Sequence, residues 1–261
     1  MCGSKATDNN QSTHISLGTT QSHLSNIPVI ATANGKVLEA QNIGGFCGTR
    51  VLIDHGEGWQ SSYCHLNPET LLARRNQTVQ SGQVIGTIGI SGQTNWPHLS
   101  YALLRNGMVF DPFSNRTNLE GCAQKSDTLW SGGINPLYEP AQVTSIGFHV
   151  GYIRTNSILS GILKPAEKIR SETPQLSLWT LMMNIQKGDE ISLKIVAPDM
   201  RIVKQQTIIA GKSRVRYPLF FSASRGKLLW DKGVYRGEIT VTRTVNGNKI
   251  KVGKFTTVTL L

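Results

Sequence analysis

The chain is 261 residues long, 39% hydrophobic and 16% charged, a globular composition that excludes a disordered chain. No window of 18 or more apolar residues occurs, which excludes a membrane-spanning helix. The net charge of +11 is uneven: residues 1–140 carry 8 Lys/Arg against 9 Asp/Glu, and residues 141–261 carry 19 against 7.

In chain order, residues 1–26 are polar and lack apolar periodicity, so they read as an extended or loop segment. No apolar signal-peptide core follows the start, so a signal peptide is expected to be absent or removed. Val29–Ala33 and Lys36–Ala40 flank Asn34-Gly35, a hairpin signal. Arg50–Asp54 and Gln60–His65 form a second strand pair around His55-Gly56-Glu57-Gly58. Val79 to Ile90 carries Gly82, Gly86 and Gly89, as tight turns between short strands require. His98–Leu104 turns at Asn106-Gly107 into Met108–Phe113. Residues 115–142 lose periodicity and read as a connector. Strand signals resume at Ser145–Tyr152, Leu176–Ile185, Ile191–Val196, Arg201–Ile209, Arg216–Phe221, Val234–Val245 and Lys249–Leu260. The fold class is therefore all-β, with a β-sheet domain over 27–114 and a basic β-sandwich of immunoglobulin-like type over 143–261.

The four cysteines, Cys2, Cys47, Cys64 and Cys122, contain no CxxC pair and so offer no zinc knuckle or thioredoxin-type site. Cys47 and Cys64 flank the second hairpin, so a disulfide between them is expected, with Cys2–Cys122 as the leftover pair. Buried thiols are the alternative. Cys2-Gly3-Ser4 is also similar to the start of a mature bacterial lipoprotein.

The first half carries a resemblance in six ordered pieces: Val29–Val37, Gly48–Trp59, Tyr63-Cys64-His65-Leu66, Val79–Gly86, Pro97-His98-Leu99-Ser100, and Asn106-Gly107 with Asp111-Pro112-Phe113. Together they resemble the M23 peptidases, the LytM and lysostaphin-type zinc endopeptidases that cut peptidoglycan cross-bridges. The resemblance implies a zinc held by His, Asp and His, which lowers the pKa of a bound water so that it attacks a peptide carbonyl. Its pattern is H-x-x-x-D, then Y-x-H-L, then H-x-H. His65 and His98 match the two accessory histidines. The last zinc ligand is replaced by Ser100. The early pair falls on Asn10 and His14 in the preferred register, with His14-Gly18 and Ser16-Thr20 as alternatives, and every register lacks the Asp. Amide and hydroxyl oxygens are poor zinc ligands.

The resemblance therefore implies a degenerate member without a metal cofactor, with vestigial His65 and His98 and a groove near Asn10, His14, His65, His98 and Ser100. Its expected partners are peptidoglycan or a muropeptide, or a cell-wall hydrolase that it regulates, outside the cytoplasm. An active zinc endopeptidase with unusual ligands, His14, His98 and His23, is the first alternative. The second is an envelope protein whose basic domain binds an anionic polymer. That domain has Arg214, Arg216, Arg225, Lys227, Lys249, Lys251 and Lys254, with Trp230 and Tyr235 nearby. It carries no RNP, helix-turn-helix or zinc-finger signature, which disfavours nucleic acid. A Ser100-His98-Asp111 triad is disfavoured because no nucleophile elbow surrounds Ser100.

Overall fold

A computed structural model describes residues 12–117, 128–131, 141–226, 228–245 and 247–261, apart from the side chains of His23 and Arg116. The chain divides into two compact units, Met1–Tyr138 and Glu139–Leu261. Among the described residues both are almost wholly β, with a single α-helix. The alternation of apolar and polar residues demands this, because side chains in a strand point to opposite faces with a period of two.

The first unit contains β1 (Thr13–Ser16), β2 (Pro28–Ile30), β3 (Gly35–Asn42), β4 (Thr49–Gly56), β5 (Trp59–Cys64), β6 (Thr78–Val79), β7 (Val84–Thr87), β8 (His98–Arg105), β9 (Met108–Asp111) and β10 (Arg116–Thr117). The main sheet runs β10-β9-β8-β5-β4-β3-β6, and β1 pairs with β8. Its buried face carries Val37, Val51, Ile53, Tyr63, Leu99 and Tyr101, packed with Val29, Leu66 and Ile85. Two expected hairpins form. Glu57 and Gly58 both take positive φ between β4 and β5, as do Asn106 and Gly107 between β8 and β9, the geometry that matches the twist of paired strands.

One expectation is refined here and one fails. The segment read as extended or loop holds the strand β1 and a 3₁₀ turn at Thr20–Ser25. Four residues are too few to show periodicity, and β1 exists through its pairing with β8. The expected hairpin at Asn34-Gly35 is absent. β2 pairs with β7, and β3 pairs with β4 and β6. Gly35 serves close packing instead of a turn: a Cβ there would lie 2.4 Å from the Asp54 carbonyl oxygen.

The expected Cys47–Cys64 disulfide is present, spanning a sequence separation of 17. Cys2 and Cys122 lie outside the described residues. Cross-linking a loop of this length restricts the unfolded chain, so Cys47→Ala with Cys64→Ala is expected to cost about 3 kcal/mol. Denaturant unfolding of the full chain checks this, and a loss below about 1 kcal/mol would mean that native packing already holds the loop.

The second unit contains β11 (Gln142–His149), α1 (Thr155–Ser160), β12 (Lys168–Ile169), β13 (Gln175–Ile185), β14 (Glu190–Val196), β15 (Ile202–Ile209), β16 (Arg214–Ser224), β17 (Gly233–Val245) and β18 (Asn248–Leu260). A three-stranded sheet β11-β13-β16 and a five-stranded sheet β12-β18-β17-β14-β15 share one core, from Phe148, Leu176 and Leu178 on the first to Ile191, Ile239 and Val258 on the second. The sequence pattern missed β12 and α1, which are short. The helix packs Ile158 onto Trp179 and Leu181, on the face of β13 away from that core.

Candidate functional site

The site is made where β1 meets β8. In this register His14 lies opposite Ser100 and Ser16 opposite His98. On the other side of β8, Cys64 of β5 also lies opposite Ser100. Directly opposed residues share a face of the sheet, so His14, His98, Ser100 and the Cys47–Cys64 disulfide stand on one face. Tyr63 and Tyr101 point to the other, into the core.

His65 joins them from the end of β5. It takes a left-handed backbone, φ 65°, which breaks the strand alternation and turns its ring toward His98. The His65 and His98 ring centroids are 4.5 Å apart, and those of His14 and His98 are 4.8 Å apart. Three imidazoles from three places in the chain thus form one cluster, with His14 stacked on His98 and His65 tilted against it. Trp96 stacks on His98 at 4.6 Å, and Phe46 lies 6.2 Å from His65.

Two loops set the outer part of this cluster. Gly48 and Gly92, both at positive φ, let the backbones of these loops touch: a Cβ on Gly48 would lie 2.3 Å from the Gly92 nitrogen. Any side chain there would push the loops apart. Their contact lets the Ser91 carbonyl accept a 2.8 Å hydrogen bond from His65 Nδ1. Likewise His98 Nδ1 donates to the Trp96 carbonyl at 3.1 Å. Since a carbonyl only accepts, both rings carry the proton on Nδ1 and the lone pair on Nε2 when neutral.

Ser12 closes the other side. Its Oγ is 2.6 Å from Ser100 Oγ and 3.1 Å from His14 Nε2. Burial, and next the neighbouring His65, hold the His14 pKa down at about 4. Burial lowers that of His65 as well, against a smaller opposing effect of its bond to Ser91. His14 and His65 are therefore held toward the neutral form at pH 7, and among the described residues the cluster presents imidazole nitrogens and hydroxyls.

Of the five expected groove residues, His14, His65, His98 and Ser100 are brought together here. Asn10 lies outside the described residues. Ser12, Ser91, Trp96 and Phe46 were not singled out from the sequence. Ser12 and Ser91 had no signal of their own, whereas Trp96 adjoins the Pro97-His98 piece of the resemblance and Phe46 adjoins Cys47. The disfavoured triad has no support. Ser100 bonds to Ser12, and the Asp111 carboxylate accepts from Phe113 N and Ser114 Oγ in its own turn.

A catalytic zinc takes three protein ligands from His, Asp, Glu or Cys. Among the described residues no three such side chains are grouped as a metal site requires. The positions implied for ligands offer one imidazole, with its Nε2 on Ser12, and the Ser100 hydroxyl, engaged with the same serine. That donor set does not fit a catalytic zinc.

The model of Peptidase family M23 matches residues 14–112. The chain is 35% identical over 85 residues to Lipoprotein NlpD of Yersinia enterocolitica, covering 33% of this chain and 84% of that protein. It is 35% identical over 85 residues to Peptidoglycan DD-endopeptidase ShyC of Vibrio cholerae, again 33% of this chain but only 19% of that much longer relative. A putative peptidase M23 from Pseudomonas aeruginosa is 28% identical, with a TM-score of 0.36 over 42% of this chain and 44% of that one.

Proposed function

Because the chain belongs to peptidase family M23, we propose that it is a non-catalytic cell-envelope member that binds the peptide part of peptidoglycan in the groove over His14, His65, His98 and Ser100, and that it serves the wall as a binding or hydrolase-regulating protein. One observation carries this reading. The β1–β8 register sets His14 directly across from Ser100, which supports the reading: two positions that the resemblance implies for ligands face each other as an imidazole and a hydroxyl. Without a zinc-activated water the hydrolytic step has no nucleophile. Features that support peptide binding remain: the buried His65 and His98 rings at the floor of the site, and aromatic walls at Trp96 and the exposed Phe46.

Two measurements test it. Elemental analysis of purified protein offered zinc is expected to find no stoichiometric metal. One tightly held zinc per chain would overturn the non-catalytic reading and favour a peptidase with unusual ligands. Separately, His65→Ala with His98→Ala is expected to weaken retention on purified sacculi by about tenfold, as the loss of one or two buried hydrogen bonds would. Unchanged retention by a folded variant would sink the groove.

A further inference from the structure

The groove leaves the +12 charge of residues 141–261 without a role. Much of the opposite charge in that unit is already engaged. Asp189 pairs with Arg243, Asp199 and Asp231 with Arg201, and Glu238 with Lys194 and Arg236. The cations outside those pairs set the potential of the unit, and a concave place on it would concentrate that potential.

Such a place exists. A cleft of about 550 Å³ opens between the end of β11, at His149 and Val150, and the segment 166–173. From 168 to 173 the chain alternates: Ile169, Ser171 and Thr173 are buried, while Lys168, Arg170 and Glu172 are exposed. The buried backbone is pinned on several sides. Ala166 N donates to the Phe148 carbonyl, Ser171 N to that of Leu261, and Trp230 N and Nε1 to those of Ser171 and Thr173. The exposed side chains are thus presented from a held support, at little ordering cost to the backbone. Lys168 and Arg170 both line the cleft, and neither has an ion pair among the described residues. Glu172 is the single carboxylate on the lining, which leaves two cations against one anion, and His149 also lines the cleft.

We propose that this cleft binds an oxyanion, a carboxylate or phosphate group carried on an anionic polymer. Lys168 and Arg170 supply charge-assisted hydrogen bonds, and His149 borders the ligand on the side of β11. Glu172 disfavours ligands that crowd negative charge at that end. The site lies wholly in the second unit and does not depend on the groove reading, so the metal and sacculus results leave it untouched.

The test uses the full chain with two labelled probes, inorganic polyphosphate and poly-L-glutamate, followed by fluorescence anisotropy. Lys168→Gln with Arg170→Gln is compared with Lys249→Gln with Lys251→Gln, which removes the same charge from the exposed strand β18. The cleft pair is expected to raise Kd by roughly tenfold, and the β18 pair by no more than about twofold. Tight binding of one probe only identifies the phosphate or the carboxylate as the natural group. Equal weakening by both variants would reduce the effect to diffuse surface charge and overturn the proposal. So would failure of the unaltered protein to bind either probe.

Discussion

Replacing Asp189 with alanine is expected to destabilise the Glu139–Leu261 unit by about 3–5 kcal/mol, the usual cost of stripping one partner from a buried ion pair. The pair is closed. Arg243 Nε and Nη2 donate to the two carboxylate oxygens at 2.8 and 2.6 Å, and Nη2 also donates to the Asn184 carbonyl. The Asp189 side chain is 2% exposed and that of Arg243 8%. Asp189 also accepts from Gln186 N at 2.8 Å, which fixes the turn before β14. Removing the carboxylate leaves a guanidinium charge out of water with its counter-charge gone. Thermal and denaturant unfolding of the full chain read the loss, and a change below about 1 kcal/mol would show that water reaches the cation. Replacing both partners by apolar residues, Asp189→Leu with Arg243→Met, is expected to recover most of it, because the desolvation penalty disappears with the pair.

The second large effect is on acid stability. His14 titrates near 4 in the folded chain and near the ordinary 6.5 when unfolded. Between those values the unfolded state binds more protons, so stability rises with pH and is lost on acidification through that window. The full shift corresponds to about 3 kcal/mol for His14, and the lowered pKa of His65 acts in the same direction. The physical cause is the burial of the His14 and His65 imidazoles, which protonation would charge. The first unit is therefore expected to be intact at pH 7 and clearly weakened at pH 4.5, as read by amide exchange in β4 and β5. His14→Gln should flatten that dependence. An unaltered slope in the variant, or a His14 ring titrating at 6.5 by NMR, would refute the assignment.

Arg243 shows what can be read and what is overlooked in a charge count. In β17 the residues Tyr235, Gly237, Ile239, Val241 and Arg243 alternate with Arg236, Glu238, Thr240 and Thr242, so the period of two already puts Arg243 on the apolar face. Counted only as one of many cations, it would be taken for surface. The singled-out basic residues likewise do not share one surface. Lys254 donates to the Thr144 carbonyl and Arg216 to that of Leu159, while Lys227 lies outside the described residues.

The amino-acid sequence by itself determined the β class, most strands of both units, the turns at Glu57-Gly58 and Asn106-Gly107, the Cys47–Cys64 pairing and the family resemblance. Each is set by neighbours a few residues apart or by ordered local pieces. Only the tertiary structure decided that β2 pairs with β7 instead of β3, and that β1 lies on β8. The second pairing forms the site, joining Ser12 to Ser100 across 88 residues. A four-residue strand has no period of its own and takes its register from its partner, so the meeting of His14, His65 and His98 is a property of long-range pairing that no local pattern encodes.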